Sequence, residues 1–154
     1  MASYSCVGQG DAPAVSRGRA GVGALPPGKG PASSRQRGSM AELQAMRFLQ
    51  GCGLNILHRN YRWRGGEIDL IAQDGPTLCF VEVRFRHRPD RGSALCTVDA
   101  RKQARLVRAA EHFLAHTWQS GACPCRFDVV AIEEGMQLTW VRDAFRTTWV
   151  PDTW

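Results

Sequence analysis

Residues 66–86, with the sequence GEIDLIAQDGPTLCFVEVRFR, decide the fold of this 154-residue chain. Apolar and polar residues alternate on both sides of the Asp-Gly-Pro sequence at 74–76, and this pattern predicts two antiparallel β-strands joined by a tight turn. Side chains two residues apart in a strand lie on the same face. The second strand therefore has one unbroken apolar face, formed by Cys79, Val81, Val83 and Phe85.

The other face of this hairpin gathers acidic side chains. If the turn is centred on residues 75–76, Asp69 lies opposite Glu82, and Glu67 lies opposite Arg84. A shifted turn places Glu67 opposite Glu82 instead. Two carboxylates about 4 Å apart repel by about 4 kcal/mol at an effective dielectric near 20. A divalent cation, Arg84 or a shared proton would offset this repulsion, and the alternative is a solvated face with a Glu67–Arg84 pair.

Composition divides the chain into three parts. Residues 1–37 are rich in Gly, Ala, Pro, Ser and Arg without a periodic apolar pattern, so we expect a disordered tail, either a transit peptide or sequence upstream of the true start near Met40. Residues 38–146 form the predicted domain, and residues 147–154 form a C-terminal extension. No run of 18 apolar residues and no secretory signal occur, so we expect a cytoplasmic protein without a membrane span.

Charge and cysteine content limit the function classes. The net charge is +6, but residues 1–37 carry +4 of it, from five Arg or Lys residues and Asp11, which leaves +2 for the rest. A case for a polyanionic partner therefore depends on where the charges of the domain lie. Six cysteines are present, yet the single residue between Cys123 and Cys125 does not fit a zinc site, and we expect reduced thiols.

The remaining elements follow from caps and periodicity. Ser39 and Glu42 have the spacing of a capping box, so a first helix is predicted to begin at Ser39, which gives Glu42 a structural role beside any functional one. A second helix is predicted from a cap at Thr97 or Asp99 to about Trp118. Three further strands are predicted at residues 54–61, 126–133 and 136–141. This order predicts an α/β sandwich with a mixed sheet.

Two further features of the predicted C-terminal strands are an acid, Asp128, and a group of aromatic residues. Asp128, on a largely apolar strand, is expected to be structural and hydrogen-bonded to a loop or an Arg. Three aromatic residues near the C-terminus are expected to cover a sheet edge: Trp140, Phe145 and Trp149.

Basic side chains surround the predicted hairpin. Arg62 and Arg64 alternate with aromatic residues before it, Arg86 ends it, and Arg101 begins a basic stripe on the second helix. Guanidinium groups bind phosphates and aromatic rings stack on bases, so this pattern suits a nucleic-acid groove, although a solvated basic loop has the same pattern. Lys102 falls on the buried stripe of the helix, and we expect it to reach the carboxylates of the hairpin.

From Gly38 to Phe145 the chain resembles the uncharacterised YraN-like family, within the restriction-endonuclease-like superfamily whose active site is written PD-(D/E)-x-K. The matching pieces are G-S-M-A-E-L-Q-A from Gly38, R-N-Y-R at 59–62, G-G-E-I-D-L-I at 65–71, F-V-E-V-R-F-R at 80–86, V-D-A-R-K-Q-A-R-L at 98–106, R-F-D-V-V at 126–130 and W-V-R-D-A-F at 140–145. The resemblance implies a restriction-endonuclease-like αβββαβ sandwich with a mixed central sheet flanked by helices.

The resemblance also implies a metal site. Asp69 and Glu82 take the places of the metal-binding acids, with Glu42 as an auxiliary ligand, and Mg²⁺ or Mn²⁺ is the implied ion. Arg84 stands where the pattern has Lys, and an Arg clamps phosphate but cannot act as a general base. Either Lys102 supplies the missing ammonium group, or the site binds nucleic acid without cutting it.

The expected function is a Mg²⁺-dependent endodeoxyribonuclease that hydrolyses phosphodiesters in structured DNA, such as a junction, a flap or another repair intermediate. Asp69, Glu82, Arg84 and Lys102 are the expected catalytic residues. Arg62, Arg64, Arg86 and Arg101 are expected to contact the DNA backbone. A non-catalytic nucleic-acid-binding protein with the same fold is the main alternative, and a protein-interaction domain is another. The sequence does not decide whether two copies pair as a homodimer.

Overall fold

The computed structural model describes residues 15–19, 34–86, 98–133 and 137–146. Its elements, in chain order, are β1 (Val15–Arg19), α1 (Ser34–Gly51), β2 (Asn55–Trp63), β3 (Gly66–Asp74), β4 (Thr77–Arg86), α2 (Ala100–His116), β5 (Cys125–Glu133) and β6 (Gln137–Phe145). The strands form one sheet in the order β1-β6-β5-β4-β3-β2. Strands β4 and β5 are parallel and every other neighbouring pair is antiparallel. The predicted α/β class with a mixed sheet is confirmed.

Each helix packs against its own set of sheet residues because side chains alternate along the strands. Phe48 and Leu49 of α1 pack in one buried cluster with Val81 and Trp140. The rings of Phe48 and Trp140 meet edge to face, with their centroids 6.2 Å apart. Trp140 is thus fully buried between α1 and a face of the sheet, so the prediction that it covers a sheet edge is wrong. Phe145 stacks on Phe127, with the ring centroids 4.8 Å apart, and Trp149 lies outside the described residues.

Helix α2 covers the second buried cluster, which contains Phe80 and Ile71 from the hairpin. Phe113 of α2 lies edge to face against Phe80, with the ring centroids 6.2 Å apart. Leu106, Ala109, Ala110 and Phe113 form the buried stripe of the helix. The two clusters place the sheet between the helices.

The hairpin has the register expected for a turn centred on residues 75–76, because Leu70 pairs with Val81 and Ile71 with Phe80. The predicted alternation fails at one position. Residues two apart in a regular strand share a face, which would place Ile68 with Leu70. Ile68 instead packs in the α2 cluster and Leu70 in the α1 cluster. The regular faces of β3 are therefore interrupted between these residues, at Asp69.

The first helix begins earlier than predicted. It begins at Ser34, so Ser39 lies inside it and the predicted capping box at Ser39 is wrong. Residues 34–38 contain no proline, and Gly38 lies within the helix. No atom lies within 4 Å of the position that a β-carbon on Gly38 would occupy. At the other end, Leu54 donates its backbone N–H to Leu49, which closes the helix terminus.

Residues 1–37, predicted to be a disordered tail, contribute to two elements of the structure. One is the start of α1, and the other is β1, in which Arg19 pairs with Gln137 and Val15 with Val141 of β6. Without β1, strand β6 would leave its backbone groups unpaired, and an extended segment of almost any composition satisfies such an edge. The rest of the predicted tail lies outside the described residues.

The start of α2 follows the prediction. Asp99 is the N-cap, and its side chain accepts the backbone N–H of Lys102 at 2.8 Å. The helix ends at His116, two residues before the predicted end. Thr97 and the predicted extension at 147–154 lie outside the described residues. Neither described helix has the length and apolar character needed to cross a membrane.

Candidate active site

Asp69 lies where the pairing of β3 with β4 ends. The ladder runs from the turn to the pair of Leu70 with Val81. At the next position, Asp69 Oδ2 accepts the backbone N–H of Val83 at 2.8 Å. The carboxylate therefore takes the place of a backbone acceptor and connects the two strands where their regular hydrogen bonding stops.

Glu82 is a buried acid on β4, with 6% of its surface exposed. Its Oε2 lies 3.2 Å from Lys102 Nζ, and its Oε1 lies 3.9 Å from Arg84 Nε. The contact with Lys102 is an ion pair without hydrogen-bond geometry, so Oε2 is buried with no hydrogen-bond partner. An unsatisfied buried carboxylate oxygen is costly and commonly marks a position completed by an ion or a ligand.

Burial raises the proton affinity of both acids, and the charge of Asp69 raises that of Glu82 further. Burial raises the pKa of Glu82 to about 7, and the charge of Asp69 adds to this effect while Lys102 and Arg84 oppose it. Burial also raises the pKa of Asp69, although the Val83 N–H and Lys102 act in the opposite direction. Asp69 and Glu82 are thus close neighbours on the same side of the hairpin. Their environment favours a bound cation or a proton.

Lys102 reaches the hairpin carboxylates as predicted. Besides Glu82, its Nζ lies 3.6 Å from Glu67 Oε1. The expected alternative partner of Glu67 was Arg84, but Glu67 contacts Lys102 and, at 4.0 Å, Arg62 Nε. Arg84 contacts Glu82 instead. The ammonium group of α2 therefore lies among the acids of both strands.

Glu42 brings a fourth carboxylate from α1. Its charge is among the causes that raise the pKa of Asp69, which places it beside the pair. Its Oε2 accepts the side-chain N–H of Asn60 at 2.9 Å. Asn60 has a φ of 52°, a left-handed conformation that Asn adopts more readily than most residues. Sequence reasoning missed Asn60, since a contact over 18 residues leaves no local pattern.

The acids do not form a complete metal cage by themselves. Within residues 34–86, 98–133 and 137–146, no three His, Cys, Asp or Glu side chains are arranged to hold a metal ion. The expected set of Asp69, Glu82 and Glu42 is therefore not preassembled. Mg²⁺ commonly binds through one or two carboxylates and takes its other ligands from water and substrate phosphate, so Asp69 and Glu82 suit such an ion.

Among the basic residues predicted to contact nucleic acid, Arg62 is the one with a described contact to these acids, through Glu67. Arg62, Arg64 and Arg101 are exposed. Arg84 is only partly exposed because it lies against Glu82. Arg86 ends β4 and pairs with Glu133 of β5, but its side chain lies outside the described part of the chain. Three of the four predicted backbone contacts thus have solvent-facing guanidinium groups.

Asp128 is a second buried carboxylate, and it differs from Glu82 because both of its oxygens are hydrogen-bonded. Both of its oxygens accept from Arg126 Nε, at 3.0 and 3.1 Å. Trp140 Nε1 donates to it at 3.1 Å and the backbone N–H of Asp143 at 3.0 Å. Arg126 also bonds Asp74 at 2.8 Å. The prediction that Asp128 is structural and bonded to an Arg is confirmed, because its hydrogen-bonding capacity is used inside the fold.

Comparison with known proteins gives the family. Residues 41–132 match the model of the uncharacterised protein family UPF0102. A UPF0102 protein of Pseudomonas putida is 48% identical over 118 residues, covering 74% of this chain and 96% of that protein. A UPF0102 protein of Nitrosococcus oceani is 47% identical over 119 residues, covering 75% and 96%. One of Xanthomonas campestris is 48% identical over 117 residues, covering 75% and 96%. The chain therefore belongs to the uncharacterised protein family UPF0102.

Proposed function

We propose that this protein is a metal-dependent endonuclease that hydrolyses structured DNA, such as a junction, a flap or another repair intermediate, on a restriction-endonuclease-like fold of the YraN-like type. One observation carries the proposal. Glu82 is buried beside Asp69 with an unsatisfied oxygen, at the point where β3 and β4 separate. A fold that needed only stability would gain by replacing this acid, because burial raises the pKa of Glu82 despite its ion pair with Lys102, so the ion pair does not offset the cost of burying the charge.

Asp69 and Glu82 are the residues that would hold Mg²⁺ or Mn²⁺, with Glu42 available from α1. Such an ion supplies Lewis acidity at the phosphate and lowers the pKa of a coordinated water. In the hydrolysis, the oxygen of water bonds to phosphorus and the bond from phosphorus to the leaving sugar oxygen breaks. One proton leaves the water and one reaches the sugar oxygen, so atoms and charges balance.

Arg84 and Lys102 have separate roles in this proposal. Arg84 stays protonated at every workable pH, so it neutralises charge on the scissile phosphate and transfers no proton. Lys102 holds Glu82 and Glu67 in place through contacts of 3.2 and 3.6 Å and presents its ammonium group to the phosphate. Arg62, Arg64, Arg86 and Arg101 bind the DNA backbone on either side.

Cleavage assays on junction, flap and linear DNA with Mg²⁺ or Mn²⁺ test this function. We expect Asp69→Ala and Glu82→Ala to abolish cutting while DNA affinity is retained. Glu133→Ala, on β5, is the matched control and should cut like the wild type. Absence of cutting by the folded wild-type protein with either ion on all three substrates would reject the proposal.

A second function, nucleic-acid binding without cleavage, has its own support. Lys102 Nζ already lies 3.2 Å from Glu82 Oε2 and offsets part of its charge without any ion. Under this function, Asp69→Ala leaves binding unchanged or tightens it, since a negative charge facing phosphate is removed. The same variants therefore separate the two functions, because only the nuclease loses an activity when Asp69 is replaced.

A further inference from the structure

Three aromatic rings form a continuous stack beside the β2–β3 turn. The ring of Trp63 stacks on His112, with centroids 4.4 Å apart and an angle of 23° between the ring planes. His112 in turn stacks on His116, at 4.2 Å and 15°. The residues at the two ends, Trp63 and His116, are exposed to solvent. Within the described residues, Trp63 is the one large hydrophobic residue that is exposed, with 40% of its surface accessible. We name these three residues the ring stack.

Each ring of the ring stack contacts a neighbouring group. The hydroxyl of Tyr61 lies 2.7 Å from His112 Nδ1, and His116 Nδ1 lies 3.0 Å from the carbonyl oxygen of His112. Gly65 lets the Trp63 ring lie against the backbone, since a β-carbon there would come within 1.9 Å of a ring carbon. A preorganised ring loses little conformational freedom when a second ring stacks on it.

The charge around the ring stack is positive. Arg62 and Arg64 flank Trp63 in the chain, and both are exposed. Arg108 is exposed as well, and its Nε lies 3.4 Å from the carbonyl oxygen of Gly65. Partial burial and the neighbouring His116 lower the pKa of His112, which favours the uncharged form of its ring. A neutral ring surface among guanidinium groups matches the base and the phosphates of a nucleotide.

We propose that the ring stack binds an unpaired nucleobase of a single-stranded segment, with Trp63 as the stacking surface and Arg62, Arg64 and Arg108 on the flanking phosphates. Paired bases hide their faces inside the duplex, so an exposed ring distinguishes single strands from duplex. This inference rests on the proposed function only in placing nucleic acid on this side of the molecule. It names the substrate class as DNA with an unpaired region, such as a flap.

The position of the ring stack agrees with this substrate class. Ten residues of α2 separate Lys102 from His112, which corresponds to about 15 Å along the helix. Arg105 lies between them on the exposed side of α2. A strand whose base stacks on Trp63 would thus follow basic side chains toward the acids of the hairpin, and the ring stack would hold the single-stranded part of a branched substrate.

Fluorescence anisotropy without divalent metal ions tests the ring stack. The probes are a labelled oligothymidylate, an abasic strand of the same length and a duplex of the same length. We expect Trp63→Ala to weaken binding of the oligothymidylate about tenfold or more, in line with the loss of one stacked base, and to change duplex binding by less than about twofold. Trp63→Phe should retain most of the affinity, because Phe still stacks. Gly65→Ala, which displaces the ring, should act like Trp63→Ala.

Three results would overturn the inference: an abasic strand bound as tightly as the oligothymidylate, equal losses for single strand and duplex in Trp63→Ala, or no loss in either. Thermal unfolding of each variant shows that it is folded, and Trp118→Phe serves as a control for removal of a different tryptophan. The outcome is independent of cleavage. If the wild type cuts DNA and Trp63→Ala binds single strands normally, only the nuclease proposal survives. If the wild type never cuts DNA and Trp63→Ala loses affinity for single strands, only the ring-stack proposal survives.

Discussion

At the scale of single residues, the buried carboxylates divide into two kinds. Asp128 is surrounded by donors from Arg126, Trp140 and Asp143. Glu82 has one oxygen without a hydrogen-bond partner, and its pKa is raised to about 7 by burial and by Asp69. Burial raises the pKa of Asp128 as well, so the two acids differ in how their oxygens are hydrogen-bonded and not in the direction of their pKa shifts. Glu82, with its unpaired oxygen, is therefore the acid proposed to bind a metal ion.

The free-energy cost of burying the charged Glu82 side chain leads to a prediction for Glu82→Gln. The pKa of Glu82 rises from 4.5 to about 7 on folding, so the folded protein binds this proton more tightly than the unfolded chain. The resulting stability is fully present below pH 4.5 and is lost as the pH rises through about 7. Glu82→Gln keeps the group neutral, and we expect it to raise the free energy of unfolding at pH 8 by on the order of 2–3 kcal/mol relative to the wild type. Urea unfolding at pH 5 and pH 8 without metal ions measures this, and a loss of stability at pH 8 would contradict it.

Removal of Asp128 should have the opposite effect. Asp128→Ala leaves Arg126 and the Trp140 N–H without their buried partner, so we expect a loss of about 3–5 kcal/mol in the free energy of unfolding. Asp99→Ala, which removes only the N-cap of α2, is the matched control and should cost about 1 kcal/mol. Chemical denaturation compares the two variants. Equal losses would show that Asp128 contributes no more than a surface cap.

At the scale of elements, the packing of α2 on β3 depends on a close backbone approach. A β-carbon on Gly66 would lie 2.1 Å from the carbonyl oxygen of Arg105, a backbone atom that cannot move without the helix. The contact sets the distance of α2 from the sheet. It thereby determines how far Lys102, one turn earlier on the same helix, extends toward Glu67 and Glu82.

Replacement of Gly66 should therefore separate the helix from the strand. We expect Gly66→Ala to lower the free energy of unfolding by about 1–3 kcal/mol, the usual cost of overpacking. Gly38→Ala is the matched control, because Gly38 lies in α1 with no atom within 4 Å of an added β-carbon. It should gain about 0.5–1 kcal/mol from reduced backbone freedom in the unfolded chain. Thermal or urea unfolding tests both changes, and the same sign for both would contradict this account.

Sequence patterns predicted an element best where a local signal, such as regular alternation of apolar and polar residues or a helix cap, determined it. Alternation gave the bounds of β3 and β4 and the register of their turn, and Asp99 marked the start of α2. The patterns failed where tertiary contacts decided. The segment 15–19 has no strand pattern of its own and pairs with the exposed edge of β6. Ile68 departs from the alternation because Asp69 binds Val83 where the ladder ends.

At the scale of the whole molecule, the candidate site is assembled from four elements. Helix α1 brings Glu42, β3 brings Asp69, β4 brings Glu82 and α2 brings Lys102. The acids of the hairpin could be predicted from the sequence, because two strands and a short turn determine their spacing. The contact of Asn60 with Glu42 and the stacking of Trp63 on His112 could not, since they join residues 18 and 49 positions apart through the packing of a helix on the sheet.

The function proposed above requires that Asp69 and Glu82 together bind a divalent cation that is used to cut DNA. A titration of Mn²⁺ or Mg²⁺ into the full chain with flap DNA present tests this requirement directly. Heat and cleavage are recorded on the same sample. We expect saturable heat and cleavage that rise together in the wild type, and neither in Asp69→Asn. Saturable ion binding that Asp69→Asn leaves unchanged, or cleavage that continues in that variant, would contradict it.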